Sequence, residues 1–145
     1  MTDATAKRYT IREFVRWSDV DKAGIIFYGA YVRFFEIAET ELFRSMGLPY
    51  SQMFEKLNIW LPRKQLQFEF HSPALLDDLL EIEVWVGHIG RTSFRLDFEA
   101  FKPTGAGERR MTANGHVVMV ATDREMLRPV PVPEALVELL RPYAT

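Results

Sequence analysis

The chain has 145 residues and a mass of 16.9 kDa, which suits one compact domain and leaves too little length for two. Hydrophobic residues make up 48% and charged residues 26%, a mixture typical of globular proteins and not of disordered ones. The net charge of −2 argues against a general nucleic-acid binder, and the lack of cysteine excludes disulfides, thiolate catalysis and cysteine-ligated metal sites. Residues 1–10 contain no apolar signal region, and no uncharged stretch reaches the roughly 18 residues of a membrane span. We therefore expect one soluble, cytoplasmic domain over residues 1–145, with flexible ends at 1–7 and 141–145.

The first predicted elements are a strand over Tyr9–Trp17, with irregular alternation, and one long helix. After the glycine-containing stretch 24–29, apolar residues recur at helical spacing, at Tyr31, Phe34, Phe35, Ala38, Leu42 and Met46. Gly47 and Pro49 then provide the stop. Three charged residues fall mostly off this apolar stripe, namely Glu36, Glu39 and Arg44. Further apolar residues lie on other faces, which predicts a helix covered by a curved sheet or by a second subunit.

A second, short helix is predicted over 51–57 with Ser51 as its cap, and beyond residue 63 the periodicity changes to two. Alternating apolar rows predict four strands, over 65–71, 80–86, 94–99 and 111–119. Leu127 is predicted to begin a short last strand, and Glu134–Leu140 a short helix. One strand, one long helix and four consecutive strands indicate the α+β class, with the helix packed on an antiparallel sheet.

Two carboxylates, Asp19 and Asp21, lie just before a glycine turn at Gly24 that leads into the long helix. The first N–H groups of a helix lack intrahelical partners and carry partial positive charge, so they can hold an anion or a developing oxyanion. A carboxylate beside such donors can serve as a nucleophile or general base. Aspartate before a helix is, however, also a common cap or turn residue, and from these residues alone that role is the commoner one.

Other reactive residue types give little signal. The three histidines, at 71, 88 and 116, have no ligand spacing, so we expect structural roles for them and no metal site. No serine lies in a G-x-S-x-G turn, and the glycines at 105 and 107 fit a hairpin turn better than a phosphate-binding loop.

The segment Trp17–Tyr31, with the sequence WSDVDKAGIIFYGAY, resembles the signature of the 4-hydroxybenzoyl-CoA thioesterase family and its short-chain acyl-CoA thioesterase relatives. That signature has Asp-x-Asp, one or two small residues, Gly, two aliphatic residues, an aromatic pair and a following Tyr. The likeness continues in order along nearly the whole chain, through Phe35-Glu36, Gly47-Leu48-Pro49, Ser72-Pro73, Asp77-Asp78 and Gly90-Arg91-Thr92-Ser93-Phe94. The resemblance implies a hotdog fold, in which a curved antiparallel sheet wraps around a long central helix.

The resemblance also implies hydrolysis of acyl-CoA thioesters, with coenzyme A as part of the substrate and no separate cofactor or metal. It places the catalytic carboxylate on Asp21 and the oxyanion donors in the backbone at Tyr28 and Gly29. Residues near the CoA phosphates in relatives fall here on Arg91, Thr92, Ser93 and Arg128. Family members form homodimers that usually associate into homotetramers, with active sites at the dimer interface. We expect the same here, with no nucleic-acid or membrane partner.

Several alternatives stay open. One branch of the family has a catalytic His where this chain has Tyr28, and another hotdog branch uses a Glu on the central helix, for which Glu36 and Glu39 are formally available. The fold also occurs in hydratases and dehydratases of acyl-CoA or acyl carrier protein, which pair a His with a carboxylate; His71 is the one candidate. A non-catalytic acyl-CoA-binding module, in which Asp21 is a turn residue, is the third hypothesis. The acyl group, aromatic or short aliphatic, is not determined.

Overall fold

Five antiparallel strands form one sheet in the order β1-β3-β4-β5-β2, and the longest helix packs against one face of it. The computed structural model describes residues 7–145, so most of the predicted flexible N-terminal end lies outside the described residues. The elements are β1 Tyr9–Phe14, α1 Tyr31–Ser45, α2 Tyr50–Leu57, β2 Arg63–Phe70, β3 Leu79–Ile89, β4 Ser93–Gly105, β5 Glu108–Val120 and α3 Glu134–Leu140. The predicted α+β architecture, with a helix packed on an antiparallel sheet, is confirmed.

The apolar stripe of α1 forms the centre of the core. Phe34, Ala38 and Leu42 are fully buried, and the ring of Phe35 stacks on Phe98 of β4 with centroids 4.4 Å apart. Gly115 of β5 permits this close approach, because a Cβ there would lie 3.2 Å from the Phe35 ring. The helix is thereby held tightly against the middle of the sheet.

The two edges of the sheet differ. β1 pairs with β3 at one edge, whereas β2 pairs only with β5 and forms the other edge. Two apolar residues of β2, Leu66 and Phe70, are about half exposed. An edge strand offers unpaired backbone groups to a further strand. Within residues 7–145, no helix has the length and apolar character needed to cross a membrane.

Three local predictions were wrong. β1 stops at Phe14, because the chain turns at Trp17–Asp19 into a short 3₁₀ segment. Ser51 is not a cap: α2 begins at Tyr50 with Pro49 before it, and no side chain caps that end. No strand begins at Leu127, whose φ of 58° closes a loop in which the carboxylate of Asp123 accepts backbone N–H bonds.

Two further differences concern the long helix and the C-terminus. Glu39, placed off the apolar stripe by the sequence pattern, is buried with 3% exposure. Residues 141–145, predicted to be a flexible end, contain a 3₁₀ turn at Arg141–Tyr143, and the amide of Thr145 donates to the carbonyl of Val86. This end therefore packs along β3.

Candidate active site

Asp21 lies on a tight loop between two paired positions, Val20 and Ile26. The loop is closed by bonds from the amide of Asp21 to the carbonyl of Ile25 (2.9 Å) and from the amide of Gly24 to the carbonyl of Asp21 (3.0 Å). Gly24 has φ +74°, a conformation that favours glycine. The Asp21 carboxylate is exposed, and its Oδ1 accepts the amides of Ala23 (2.9 Å) and Ile25 (3.4 Å). Its other oxygen accepts no bond from the described residues, which leaves it open to a ligand.

The Asp21 loop is anchored on the side of the segment that follows β2. The amide of Ile26 donates to the carbonyl of Ala74 (2.8 Å), and the amide of Leu76 donates to the carbonyl of Gly24 (3.0 Å). Asp78 fixes that segment in turn, since its Oδ2 accepts the amide of Leu75 at 2.8 Å and the ammonium of Lys102 at 2.9 Å. The loop therefore has a defined position despite its exposure.

Asp19, the first carboxylate of the signature, has a different environment. It is 2% exposed, and the guanidinium of Arg33 on α1 donates to both of its oxygens, from Nε at 2.9 Å and from Nη2 at 2.5 Å. The amide of Arg16 donates to Oδ2 at 2.8 Å. Burial alone would raise the pKa of Asp19, but these bonds outweigh it and hold the pKa below its ordinary value. Asp19 is thus a structural carboxylate, and Asp21 is the one that faces solvent.

Tyr28 and Gly29 form a 3₁₀ turn that leads directly into α1. The amide of Ala30 donates to the carbonyl of Phe27 at 3.0 Å, but the amides of Tyr28 and Gly29 donate to no described residue. These two N–H groups lie at the positive end of a 15-residue helix. Unpaired donors at such a position can hold a carbonyl oxygen as negative charge develops on it.

A cavity of about 310 Å³ adjoins this turn. The ring of Tyr28 meets that of Phe70 edge-on at 6.4 Å, and the buried ring of Tyr31 lies 5.8 Å from Phe70. The remaining walls are Ile25, Ile26, His71, Ser72, Pro73 and Thr112. A second, wider groove of about 750 Å³ runs beside Asp21 and is bordered by Trp17, whose side chain is 81% exposed. The rings of Trp17 and Tyr28 are therefore largely exposed, at the borders of these two cavities.

His71 lies in the wall of the cavity at the Tyr28 turn, which its position far along the chain did not suggest. Its Nε2 contacts Oδ1 of Asn114, and Nδ2 of Asn114 donates to Glu69 at 3.3 Å. No carboxylate bonds the ring directly among the described residues. Those residues also contain no group of three or more His, Asp or Glu side chains arranged to hold a metal ion.

The predicted CoA-binding residues Arg91, Thr92, Ser93 and Arg128 cluster at the other end of the sheet. The amide of Val132 donates to the carbonyl of Arg91 (2.8 Å), and Asp123 bonds the backbone of Arg128. The Asp21 loop lies at the opposite end of the sheet, near the start of β3, where β3 pairs with Phe101 of β4. Ser93 to Phe101 spans roughly 26 Å of extended strand. Within one chain, the structure does not bring these residues together with Asp21.

Sequence reasoning missed Arg33 and the pairing of Glu39. The Glu39 carboxylate accepts the hydroxyl of Tyr50 at 2.9 Å and bonds the guanidinium of Arg63. The sequence offered one sign of the role of Arg33, which is a basic residue in the otherwise apolar first turn of α1. Its partner lies 14 positions earlier, beyond any helical spacing.

Comparison with known proteins agrees with this geometry. The model of the thioesterase-like superfamily matches residues 15–140. Acyl-CoA thioester hydrolase YbgC of Escherichia coli O6:H1 is 26% identical over 93% of this chain and 96% of its own length. The 4-hydroxybenzoyl-CoA thioesterase of Pseudomonas sp. strain CBS-3 is 28% identical over 92% of this chain and 98% of its own length.

A solved structure gives the same result. The crystal structure of an Asp-to-Asn mutant of 4-hydroxybenzoyl-CoA thioesterase, complexed with 4-hydroxybenzoyl-CoA, superposes with a TM-score of 0.85 at 27% identity. The match covers 93% of this chain and 99% of that one. The predicted hotdog fold is confirmed by this superposition. Because the family model spans most of its length, the chain belongs to the thioesterase-like superfamily.

Proposed function

We propose that this protein hydrolyses acyl-CoA thioesters to a free carboxylic acid and coenzyme A. The observation that carries the proposal is one loop, closed by the bond from the amide of Phe27 to the carbonyl of Asp19, that presents an exposed carboxylate, Asp21, and leads directly into the unpaired amides of Tyr28 and Gly29 at the start of α1. Thioester hydrolysis needs these two parts, a base or nucleophile and a donor pair for the carbonyl oxygen. The names of the relatives, acyl-CoA thioester hydrolase and 4-hydroxybenzoyl-CoA thioesterase, support the same reaction.

The reaction begins when the thioester carbonyl oxygen accepts hydrogen bonds from the backbone N–H groups of Tyr28 and Gly29. Two routes can then follow. In one, an Asp21 oxygen attacks the carbonyl carbon, the carbon–sulfur bond breaks to release CoA thiolate, and water cleaves the resulting anhydride. In the other, Asp21 takes a proton from a water molecule whose oxygen attacks the same carbon; the tetrahedral intermediate then collapses, the carbon–sulfur bond breaks, and CoA leaves as the thiolate, which the proton held by Asp21 can neutralise. The amides stabilise the negative oxygen in both routes, by roughly 3–4 kcal/mol per well-placed donor.

We propose a cytoplasmic homodimer, associated further into a homotetramer, as the working form. The open edge of β2, with Leu66 and Phe70 half exposed, supports pairing with a second copy. The separation of Arg91 and Arg128 from Asp21 within one chain supports a site that two copies complete. Neither guanidinium forms an ion pair with a described residue, which leaves both available for CoA phosphates.

The test is a thiol-release assay with acyl-CoAs from acetyl to decanoyl, together with benzoyl-CoA and 4-hydroxybenzoyl-CoA. We expect turnover by the wild type and a loss of about 10²–10⁴-fold in kcat for Asp21→Asn, the range for removing a general base. Asp77→Asn is the matched control, because Asp77 is also exposed and its φ of 71° suits Asn. The control should keep wild-type activity.

Three results would contradict the proposal. Full activity in Asp21→Asn would show that Asp21 is not the catalytic carboxylate. Binding of acyl-CoA without turnover by the wild type would indicate a binding module. Addition of water to an enoyl-CoA, lost in His71→Gln and kept in Asp21→Asn, would indicate a hydratase.

A further inference from the structure

The ion pair between Asp19 and Arg33 joins the two halves of the proposed site. We infer that Arg33 is a positioning residue, which fixes the Asp21 carboxylate relative to the amides of Tyr28 and Gly29. The inference rests on the proposed function, since it assigns those groups to one reaction. Arg33 touches neither the cavity beside Tyr28 nor the groove beside Asp21, so it acts through the residues that it holds.

Arg33 holds three segments at once. Its Nε and Nη2 bond the two oxygens of Asp19, its Nη1 bonds Oε2 of Glu13 on β1 at 3.2 Å, and Nη2 also reaches the carbonyl of Phe14 at 3.4 Å. A guanidinium that donates in a fork to one carboxylate fixes orientation as well as distance. The first turn of α1 is thereby tied to the end of β1 and to the start of the Asp21 loop.

The backbone of Asp19 passes this constraint to the site. Its carbonyl accepts the amide of Phe27 at 3.0 Å, and the next pair along the chain, Val20 and Ile26, is bridged. Asp19 and Phe27 are thus the base of the loop that carries Asp21. Phe27 also directly precedes the Tyr28–Gly29 turn. The buried Asp19 therefore makes two contacts. Its carbonyl bonds Phe27 at the base of the loop, and its carboxylate bonds Arg33 on α1, the helix that presents the amides.

Asp21 itself contributes little to the orientation of its loop relative to α1. Its carboxylate bonds only amides inside its own loop, those of Ala23 and Ile25. Those bonds keep the shape of the loop but not its orientation relative to α1. The bonds of Ile26 and Leu76 to neighbouring backbone fix the far side of the loop, so the Asp19–Arg33 pair is the link on the α1 side.

The experiment compares Arg33→Ala with the wild type in acyl-CoA hydrolysis and then adds guanidinium ion at millimolar concentrations that do not unfold the protein. A misplacement of about 1 Å costs on the order of 10²-fold in rate, so we expect kcat to fall by about that factor with KM nearly unchanged. Added guanidinium should restore part of kcat, because the Arg33 side chain is about one-third exposed and leaves a site open to solvent. Arg16→Ala, which removes an exposed ion pair to the same Glu13, is the control and should keep kcat without guanidinium.

Amide hydrogen exchange of the Arg33→Ala variant tests the inference without any activity. The amides of Asp21 and Phe27 should exchange at least about tenfold faster than in the wild type, while the amide of Leu96 in β4 should not change. If the wild type hydrolyses no thioester, the proposed function fails and exchange alone decides the positioning role. Unchanged exchange at Phe27, or a kcat loss that guanidinium does not restore and that matches a fall in Tm, would overturn the inference.

Discussion

The hydroxyl of Tyr50 on α2 donates to the carboxylate of Glu39 on α1 at 2.9 Å, inside the core and beside the ring of Phe43. Arg63, at the start of β2, bonds the same carboxylate from the partly exposed side. The central helix, the second helix and the edge strand thus meet at one buried charge. Burial raises the pKa of Glu39, although Arg63 and Tyr50 oppose the rise.

Replacement of Glu39 by Gln should change how stability depends on pH. A carboxyl whose pKa is raised in the folded state binds its proton more tightly there than in the unfolded chain. Its contribution therefore favours folding below about pH 4.3 and declines as the pH rises through the folded pKa. We expect the free energy of unfolding of the wild type to fall relative to Glu39→Gln between about pH 4 and neutrality, as measured by urea denaturation. If the wild type instead gained stability relative to Glu39→Gln as the pH rose, the ion pair with Arg63 would outweigh the cost of burying the charged carboxylate.

The Asp19→Asn variant should show the opposite dependence. The folded pKa of Asp19 is lowered, so its contribution to stability is complete above the unfolded value of about 3.9 and disappears as the pH falls through the folded pKa. We expect the wild type to be more stable than Asp19→Asn at pH 6 and the difference to shrink below about pH 4. Arg33→Met should reproduce both the loss and its pH dependence, since it removes the other partner. A difference that is constant with pH would contradict the assignment.

Tyr28 and Gly29 are expected to act through their amides and not through side chains. Tyr28→Phe keeps the amide, so its kcat should stay within about twofold of the wild type. Gly29→Pro removes one N–H donor, and the loss of one such donor costs about 10²–10³-fold in kcat. Gly29→Ala is the control, because a Cβ there meets only the Phe27 ring, at 3.2 Å, and the N–H remains. Wild-type kcat in Gly29→Pro would assign the role to the Tyr28 amide alone.

Two glycines in the sheet should respond differently to alanine. A Cβ at Gly115 would collide with the backbone carbonyl of Gln67 on β2, which cannot move without breaking the sheet. We expect Gly115→Ala to lower the free energy of unfolding by about 3 kcal/mol, the upper part of the range for forced overpacking. At Gly87 the collision is with the ends of the Asp97 and Arg95 side chains, which can rotate. Gly87→Ala should therefore cost about 1 kcal/mol or less in the same denaturation experiment, and equal losses would refute the distinction.

Arg91 and Arg128 are expected to contribute to CoA binding and not to chemistry. The double variant Arg91→Ala/Arg128→Ala should raise KM for acyl-CoA about tenfold, equivalent to about 1.4 kcal/mol, with kcat unchanged. The increase should weaken at high salt, because exposed charges are screened. Arg12→Ala, on the outer face of β1 and paired with Glu81, is the control. An unchanged KM in the double variant would show that Arg91 and Arg128 do not take part in CoA binding, contrary to what the family resemblance implies.

The sequence predicted the fold well because the pattern that specifies it is local. The stripe from Tyr31 to Leu42 and the alternation around Leu96 each lie within one element, so the period alone shows which face is buried. The misplacements at Leu127 and Ser51 came from backbone details. A left-handed φ at Leu127 and the proline before α2 decided those boundaries, and neither has a periodic signal.

The site was predicted only in part, since its decisive contacts are distant in the chain. The family resemblance assigned the catalytic role to Asp21, but the residue types alone do not show how the environments of the two carboxylates differ. The bond from Arg33 separates a buried structural Asp19 from an exposed Asp21. Glu39 looked like a surface residue because its partner Arg63 lies 24 positions away on another element.

The contrast between the two aspartates also bears on how such proteins diverge. Asp19 joins α1 to the base of the Asp21 loop, so we expect its loss to disturb the local fold and the proposed reaction at the same time. The Asp21 carboxylate bonds only amides of its own loop, so we expect its replacement by Asn to leave the groove, the helix start and the sheet intact. If Asp21 is the catalytic carboxylate, as proposed, one nucleotide change in its codon would separate a hydrolase from a ligand-binding protein of the same architecture at little cost in stability.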